Sequence, residues 1–261
     1  METIINSVEA KSRVVFRVGN YDKMADYIRK NDIAHEKEGD LVKIYRFDLS
    51  GLKAPGIADD AVTVGVMTNS MVRQVGLTMD ELNDRAMENM RRLRPLKITS
   101  IVQQLMELAP GLNDLRDPEM EGIPVMVVTN TSGFQGAAAV FYPEVEDELK
   151  ARLGGDFYIL PSSVHEVLAV RKDVNELESL RMRVKTINET EVEPQDRLSD
   201  NVYEMSGGKL CIALTEREKE MERDKEMTDI KAVKRIAGSR CALGSQGSGL
   251  ENSRKGEASE C

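Results

Sequence analysis

The chain has 261 residues, a formal net charge of -9 and a sequence pI near 5.0. Such an acidic surface disfavours nucleic-acid binding, and no run approaches the ~20 apolar residues of a membrane span. The three widely spaced cysteines and an N-terminus without a signal-peptide pattern argue against a disulfide framework and favour a cytoplasmic protein.

The N-terminal part of the chain is expected to mix strands and one short helix. β-branched and aromatic residues predict strands at residues 13–18, 41–49 and 61–68. Asn20 is a suitable N-cap for a helix with Tyr21, Met24 and Ile28 on one face.

Two further helices are predicted before the middle of the chain. Thr78 and Glu81 have the spacing of a capping box, and an apolar stripe follows, made of Leu82, Ala86, Met90 and Leu93. Apolar residues at helical spacing predict a second helix from Ile98 to Leu108. The polar stretch at residues 113–122 is the expected internal boundary.

From Ile123 onward the pattern predicts a ββαββα unit. Its first two strands lie at residues 125–129 and 136–141, and a helix follows that Gly154 ends. Strands at residues 156–160 and 164–170 then form a hairpin around Pro161, Ser162 and Ser163. Asp173 with Glu176 is expected to cap the last helix, which carries Leu177, Leu180, Val184 and Ile187.

The predicted fold class is therefore α+β, in three segments. Residues 1–115 form a mixed N-terminal segment, residues 120–212 the ββαββα core, and residues 213–261 a charged helix with a disordered tail. The tail helix is expected at residues 215–236, where opposite charges such as Glu216 and Lys219 lie three positions apart.

One cluster resembles a Ser-His-acid catalytic site: Ser162 or Ser163 as nucleophile, with His165 and Glu166. Such catalysis needs a base within hydrogen-bond reach of the hydroxyl and a third group that orients the base. If residues 164–170 form a strand, His165 and Glu166 point to opposite faces, and His165 shares its face with Val167 and Ala169. The cluster also lacks a nucleophile elbow, so the serines are interpreted as turn residues and no catalytic residue is expected.

No metal or cofactor site is expected either. The chain has only two histidines, and His35 lies in a polar stretch without a nearby cysteine. Asp196, Asp200 and Glu204 could bind a hard cation if they shared one helix face, but the nearby Pro194 favours a loop. No glycine pair has the strand-to-helix context of a phosphate loop.

The stretch ILPSSVHEV, Ile159 to Val167, resembles a bacterial family known only as a domain of unknown function. The similarity covers about residues 13–210 and is densest after Ile123. It includes the segments Gly136–Ala138, Tyr142–Pro143, Leu153–Asp156, Glu193–Pro194 and Leu198–Tyr203, and Ala86, Glu88, Asn89, Arg92, Leu93 and Pro95. Members of that family usually carry an additional N-terminal region, and residues after Leu214 have no counterpart there. The resemblance implies common ancestry and assigns no activity.

The leading hypothesis is a non-enzymatic binding or accessory module that engages a protein partner. The alternatives are a hydrolase that uses Ser162 or Ser163 with His165, and a nucleic-acid accessory protein of a mobile element. Nucleic-acid binding is the least favoured because of the acidic charge, and membrane association is not expected. The sequence does not define the oligomeric state.

Overall fold

The computed structural model describes residues 11–48, 64–108, 125–161, 163–225, 227–228 and 230–231. Helices and antiparallel sheets make up these residues, which confirms the α+β class. The chain divides into two compact units, residues 1–213 and 214–261. The division into three segments at residues 115–120 and 213 stays a prediction.

The first sheet contains four strands in the described part of the chain: β1 (Val14–Asn20), β2 (His35–Glu38), β3 (Leu41–Asp48) and β4 (Val64–Val66). Strand β3 pairs antiparallel with the other three. Helix α1 (Tyr21–Lys30) follows β1 directly, because the Asn20 side chain accepts the Lys23 N–H and caps its first turn. The N-cap prediction for Asn20 is confirmed.

Two helices connect this sheet to the next. Helix α2 (Asn69–Val75) is capped by Thr68, and helix α3 (Met79–Leu93) begins with the predicted capping box. Thr78 Oγ1 accepts the Glu81 N–H at 3.2 Å, and Glu81 Oε2 accepts the Thr78 N–H at 2.8 Å. The apolar stripe of α3 is buried up to Met90, whereas Leu93 in its last turn is exposed.

The second sheet has the strand order β10-β9-β7-β8-β6-β5 and is antiparallel throughout its described pairs. Its strands are β5 (Leu96–Ser100), β6 (Val125–Asn130), β7 (Phe157–Leu160), β8 (Val167–Arg171), β9 (Tyr203–Ser206) and β10 (Lys209–Ile212). Three helices connect these strands along the chain: α4 (Ile101–Leu108) follows β5, α5 (Val145–Leu153) precedes β7, and α6 (Leu177–Thr190) follows β8. Helix α5 ends at Gly154 in the left-handed conformation, as predicted.

The prediction that residues 136–141 form the second strand of a ββαββα unit is wrong. Residues Gly136–Phe141 form a 3₁₀ helix in which all six residues are buried. Strand β6 already pairs with β5 on one side and with β8 on the other, so no sheet edge remains beside it for a returning strand. The order after β6 is therefore a 3₁₀ helix, α5, β7, β8 and α6.

The predicted helix from Ile98 to Leu108 is also partly wrong. Residues Leu96–Ser100 form β5, and only Ile101–Leu108 is helical. Ile98 pairs with Val128 across the sheet and is buried there, so tertiary pairing overrides the helical spacing of the apolar residues.

The predicted cap of the last helix is wrong in its details. Glu176 occupies the N-cap position without a side-chain cap bond, and Asp173 instead forms an ion pair with Arg171. Of the predicted apolar stripe of α6, Leu177, Leu180 and Val184 are buried, but Ile187 is exposed.

The second sheet buries both faces against different elements. One face joins the first sheet, α3, the 3₁₀ helix and α5 in one hydrophobic cluster that extends from Val14 to Leu210. The opposite face packs Tyr158, Leu160 and Val170 against Leu177, Leu180 and Val184 of α6. The sheet therefore forms the middle layer between α6 and the rest of the core.

The C-terminal unit is described only in part. Residues 216–225 are helical, Thr215 and Glu218 exchange capping hydrogen bonds, and the predicted Glu216–Lys219 ion pair is present at 3.1 Å. The predicted disordered tail, residues 238–261, lies outside the described residues. No described helix has both the length and the apolar character to cross a membrane.

Candidate functional site

The candidate cluster lies in the connection between β7 and β8. Strand β8 begins at Val167, so His165 and Glu166 lie in the loop before it. The prediction that His165 shares a sheet face with Val167 and Ala169 is therefore wrong. At Val164, the N–H donates to Asp196 O at 2.8 Å and the carbonyl accepts from Ala137 N at 3.2 Å, so this residue pairs with neither adjacent strand.

A glycine brings the 3₁₀ helix against this loop. A Cβ atom at Gly136 would lie 1.9 Å from Thr129 Oγ1, 2.6 Å from His165 O and 2.8 Å from Asn130 N. Two of these neighbours are backbone atoms that cannot move independently, so the position requires glycine. The Thr129 hydroxyl donates to His165 O at 2.8 Å and holds the loop at the end of β6.

The imidazole of His165 is held on two sides. Its Nδ1 accepts the Gln135 N–H at 3.3 Å, so in the neutral ring the proton is on Nε2. Gln135 has φ of 50°, a left-handed conformation that is uncommon outside glycine. Nε2 lies 3.9 Å from Asp196 Oδ2, and the ring packs against Phe134 with centroids 5.7 Å apart.

The other candidate residues have separate partners. Ser163 Oγ accepts the His165 N–H at 3.1 Å, a local turn bond, and Ser162 lies outside the described residues. Glu166 Oε2 accepts from Gln104 Nε2 at 2.6 Å and so faces α4. The carboxylate beside the imidazole is Asp196, a residue that the spacing of the Ser162–Glu166 cluster does not indicate.

The loop lines a groove of about 420 Å³ on the face of the second sheet that packs against α6. Leu160 and Leu168, a cross-strand pair, form its floor. Val184 and Ile187 of α6 line the opposite wall, and Ile101 of α4 lies at one end. Ile187 is 46% exposed, so the groove presents uncovered apolar surface.

The rim of the groove is acidic. Four carboxylates lie among its described lining residues, Glu166, Glu191, Glu193 and Asp196, and those residues include no Lys or Arg. Arg197 fixes the turn after α6: its Nε donates to Val192 O at 2.7 Å and its Nη2 to Glu189 O at 3.2 Å. The described lining therefore combines apolar side chains with four carboxylates, while Arg197 and Lys23 bond the backbone of the turn after α6.

Asp196, Asp200 and Glu204 do not share one helix face. Asp196 lies in a turn, Asp200 accepts from Asn188 Nδ2 at 2.8 Å, and Glu204 in β9 forms an ion pair with Lys172. His35 donates from Nδ1 to Ile33 O at 2.9 Å. Within the described ranges, no group of three or more His, Cys, Asp or Glu residues is arranged to hold a metal ion.

Comparison with known protein families identifies a family that covers most of the chain. The family described as "Family of unknown function (DUF5688)" matches residues 1–206. No curated protein and no solved structure matches the chain. The predicted resemblance to a family of unknown function is confirmed.

Proposed function

The chain belongs to the DUF5688 family, and from this premise we propose that it is a non-enzymatic binding module whose groove takes up a basic, amphipathic segment of a protein partner. The observation that carries the proposal is the acidic rim around an apolar floor, with no described cation in the lining. The family description assigns no activity, and the support for the proposal comes from the lining of the groove.

The apolar part of the groove favours a segment with hydrophobic anchors. The exposed Ile187 and the partly buried Leu168 offer aliphatic surface in the groove, next to the buried Leu160. Leu105, one helical turn beyond Ile101 on α4, is exposed as well. Recognition of an amphipathic helix uses such a surface, with anchors at positions i, i+3 or i+4 and i+7 of the partner.

The charged rim favours a basic segment over an acidic or neutral one. Glu191 and Glu193 are exposed just after α6, and Glu166 and Asp196 line the same groove. Lysine or arginine side chains on the polar face of a bound helix would meet these carboxylates. Opposite charges of this kind raise the association rate and reject like-charged partners, and salt weakens them.

Fluorescence polarisation with two synthetic helical peptides tests the proposal. The peptides share a leucine face, and the polar face carries lysine in one and glutamate in the other. We expect the full chain to bind the lysine peptide only, with an affinity that falls as salt is raised. Charge reversal by Glu191→Lys with Glu193→Lys should weaken binding roughly tenfold or more.

The control for charge reversal is Glu189→Lys. Glu189 is exposed on the same helix but is outside the groove lining, and only its backbone carbonyl bonds Arg197. Glu189→Lys should bind as the parent does. Equal binding of both peptides, or equal weakening by the control, would reject the groove as the binding site.

The hydrolase alternative has a different signature. A serine nucleophile at Ser162 or Ser163 with His165 as base predicts labelling by a fluorophosphonate probe, lost in His165→Ala. The described hydroxyl, Ser163 Oγ, accepts the His165 backbone N–H, and this local bond favours the binding module. Labelling that is lost in His165→Ala would contradict the proposed binding module and support a hydrolase.

A further inference from the structure

Strand β10 forms one edge of the second sheet. Among the described strands it pairs only with β9, through a hairpin whose turn residues Gly207 and Gly208 both have positive φ. An edge strand presents a row of backbone N–H and C=O groups with which another strand can pair. The state of those groups decides whether the edge is open to a partner.

The hydrogen bonds of the hairpin show which groups of β10 face outward. Ala213 N–H donates to Val202 O at 2.8 Å, which extends the register of the β9–β10 pair by one position. Bonded and non-bonded pairs alternate along an antiparallel ladder, so the peptide groups of Leu210 and Ile212 point away from β9. In the part of the chain that the structure describes, no hydrogen bond reaches these outward groups.

The opposite edge of the sheet, β5, differs in this respect. By the same alternation, Ile98 O and the Ser100 N–H point away from β6. Arg152 Nη1 donates to Ile98 O at 3.0 Å, and Gln103 Oε1 accepts the Ser100 N–H at 3.1 Å. Side chains therefore occupy outward groups of β5, whereas those of β10 remain open for pairing.

Two copies of β10 are self-complementary about a two-fold axis at Cys211. Antiparallel pairing centred there places Leu210 of one copy opposite Ile212 of the other, so the outward groups of both residues bond each other. Cys211 is exposed and then faces its own copy in a non-bonded pair, with Cα atoms about 4.5 Å apart. The exposed Lys209 lies two positions from the axis, so the two Lys209 Cα atoms are about 14 Å apart and their charges do not oppose each other.

We propose that β10 pairs antiparallel with β10 of a second copy of the chain, which joins two six-stranded sheets across a two-fold axis at Cys211. Such an interface uses the same surface on both copies and closes after two, so it makes a dimer and no fibre. A pair of short strands buries little area, and the dimer therefore forms at high protein concentration. The proposal does not depend on the acidic groove.

Oxidation of the full chain with a single thiol tests the register. Cys241→Ser with Cys261→Ser leaves Cys211 as the only cysteine. Diamide oxidises two thiols to one S–S bond and is itself reduced to a hydrazine. We expect a disulfide-linked dimer on a non-reducing gel when the chain is folded, and its loss when urea unfolds the chain before oxidation.

The matched control moves the thiol to position 209. Lys209→Cys with Cys211→Ser, in the same background, keeps one exposed thiol on the same strand. The two copies of this thiol lie on Cα atoms about 14 Å apart, beyond the separation of about 4.4–6.8 Å that a disulfide spans. We expect cross-linking roughly tenfold slower than that of Cys211.

Sedimentation equilibrium under reducing conditions measures association without the cross-link. Cys211→Ser should keep the parent's equilibrium between monomer and dimer. Cys211→Lys places two ammonium groups directly opposite each other and should weaken association roughly fivefold. Gln74→Lys makes a comparable charge change at an exposed position of α2 and should associate like the parent, with thermal melting to show that each variant is folded.

Three results would overturn the pairing. The first is a parent chain that stays monomeric at high concentration and gives no cross-link through Cys211. The second is equal cross-linking at positions 209 and 211, which would indicate random collision. The third is equal weakening by Gln74→Lys and Cys211→Lys, which would indicate only a general charge effect.

Discussion

Among the described glycines, Gly136 has the closest neighbours to a built Cβ atom. A methyl group there would meet Thr129 Oγ1 and two backbone atoms at 2.8 Å or less, so Gly136→Ala must displace the 3₁₀ helix or the loop that holds His165. We expect a loss of about 1–3 kcal/mol in the free energy of unfolding, measured by urea denaturation.

Gly155→Ala is the control for this substitution. Gly155 has open space around a built Cβ atom and no positive φ, so alanine there should leave stability unchanged or slightly higher. If Gly136→Ala were as stable as Gly155→Ala, the close packing of the 3₁₀ helix on the loop would be contradicted.

The site was only partly predictable at the scale of residues. The proximity of Ser163, His165 and Glu166 follows from their positions in the chain, but their partners do not. Glu166 bonds Gln104, and His165 lies beside Asp196, because the fold brings α4 and the turn after α6 to the same loop. Spacing within a motif contains no information about such distant segments.

At the scale of elements, the capping box of α3 gives a direct prediction. Thr78→Ala removes the acceptor of the Glu81 N–H and leaves a helix-end donor without its partner. We expect a loss of about 1 kcal/mol in the free energy of unfolding, measured by thermal or urea denaturation.

The corresponding control is Thr186→Ala in α6. Thr186 lies in the middle of α6 with an exposed side chain, and its hydroxyl donates to Met182 O at 3.0 Å. Since alanine has the higher helix propensity, this variant should be as stable as the parent or slightly more stable. A similar loss in both variants would show that the box contributes nothing specific.

Three helix caps were predicted from local signals, whereas two elements whose identity depends on strand pairing were not. The caps at Asn20, Thr78 and Gly154 depend on neighbours within a few residues, so the sequence shows them directly. The identity of Gly136–Phe141 and of Leu96–Ser100 depends on which strands flank β6. That information lies in tertiary pairing, which overrides local preference.

At the scale of the whole molecule, three of the six tyrosines link stability to alkaline pH. Burial raises the pKa of Tyr45, Tyr142 and Tyr203 above the ordinary value of 10.0. A group whose pKa is raised by folding contributes stability below its unfolded value and loses it as pH rises toward the folded value. We therefore expect the free energy of unfolding to fall above pH ~10.

Tyrosinate absorbance and circular dichroism, recorded together against pH, check this linkage. The hydroxyls of Tyr45, Tyr142 and Tyr203 should ionise only as the chain unfolds. In Tyr203→Phe, which lacks the hydroxyl that donates to Asp40, stability should decline less steeply above pH ~10. Ionisation of all tyrosines in one step with native dichroism would contradict the burial.

The hydrogen bonds between the first sheet and the segment before β10 also determine when the chain can finish folding. Tyr203 donates to Asp40, and Asn20 Nδ2 donates to Leu198 O at 2.8 Å, across sequence separations of 163 and 178 residues. During synthesis, Asn20 and Asp40 therefore cannot form these hydrogen bonds until residues 198–203 have been made. Such long-range closure slows folding and prolongs the time during which the early strands depend on protection from aggregation.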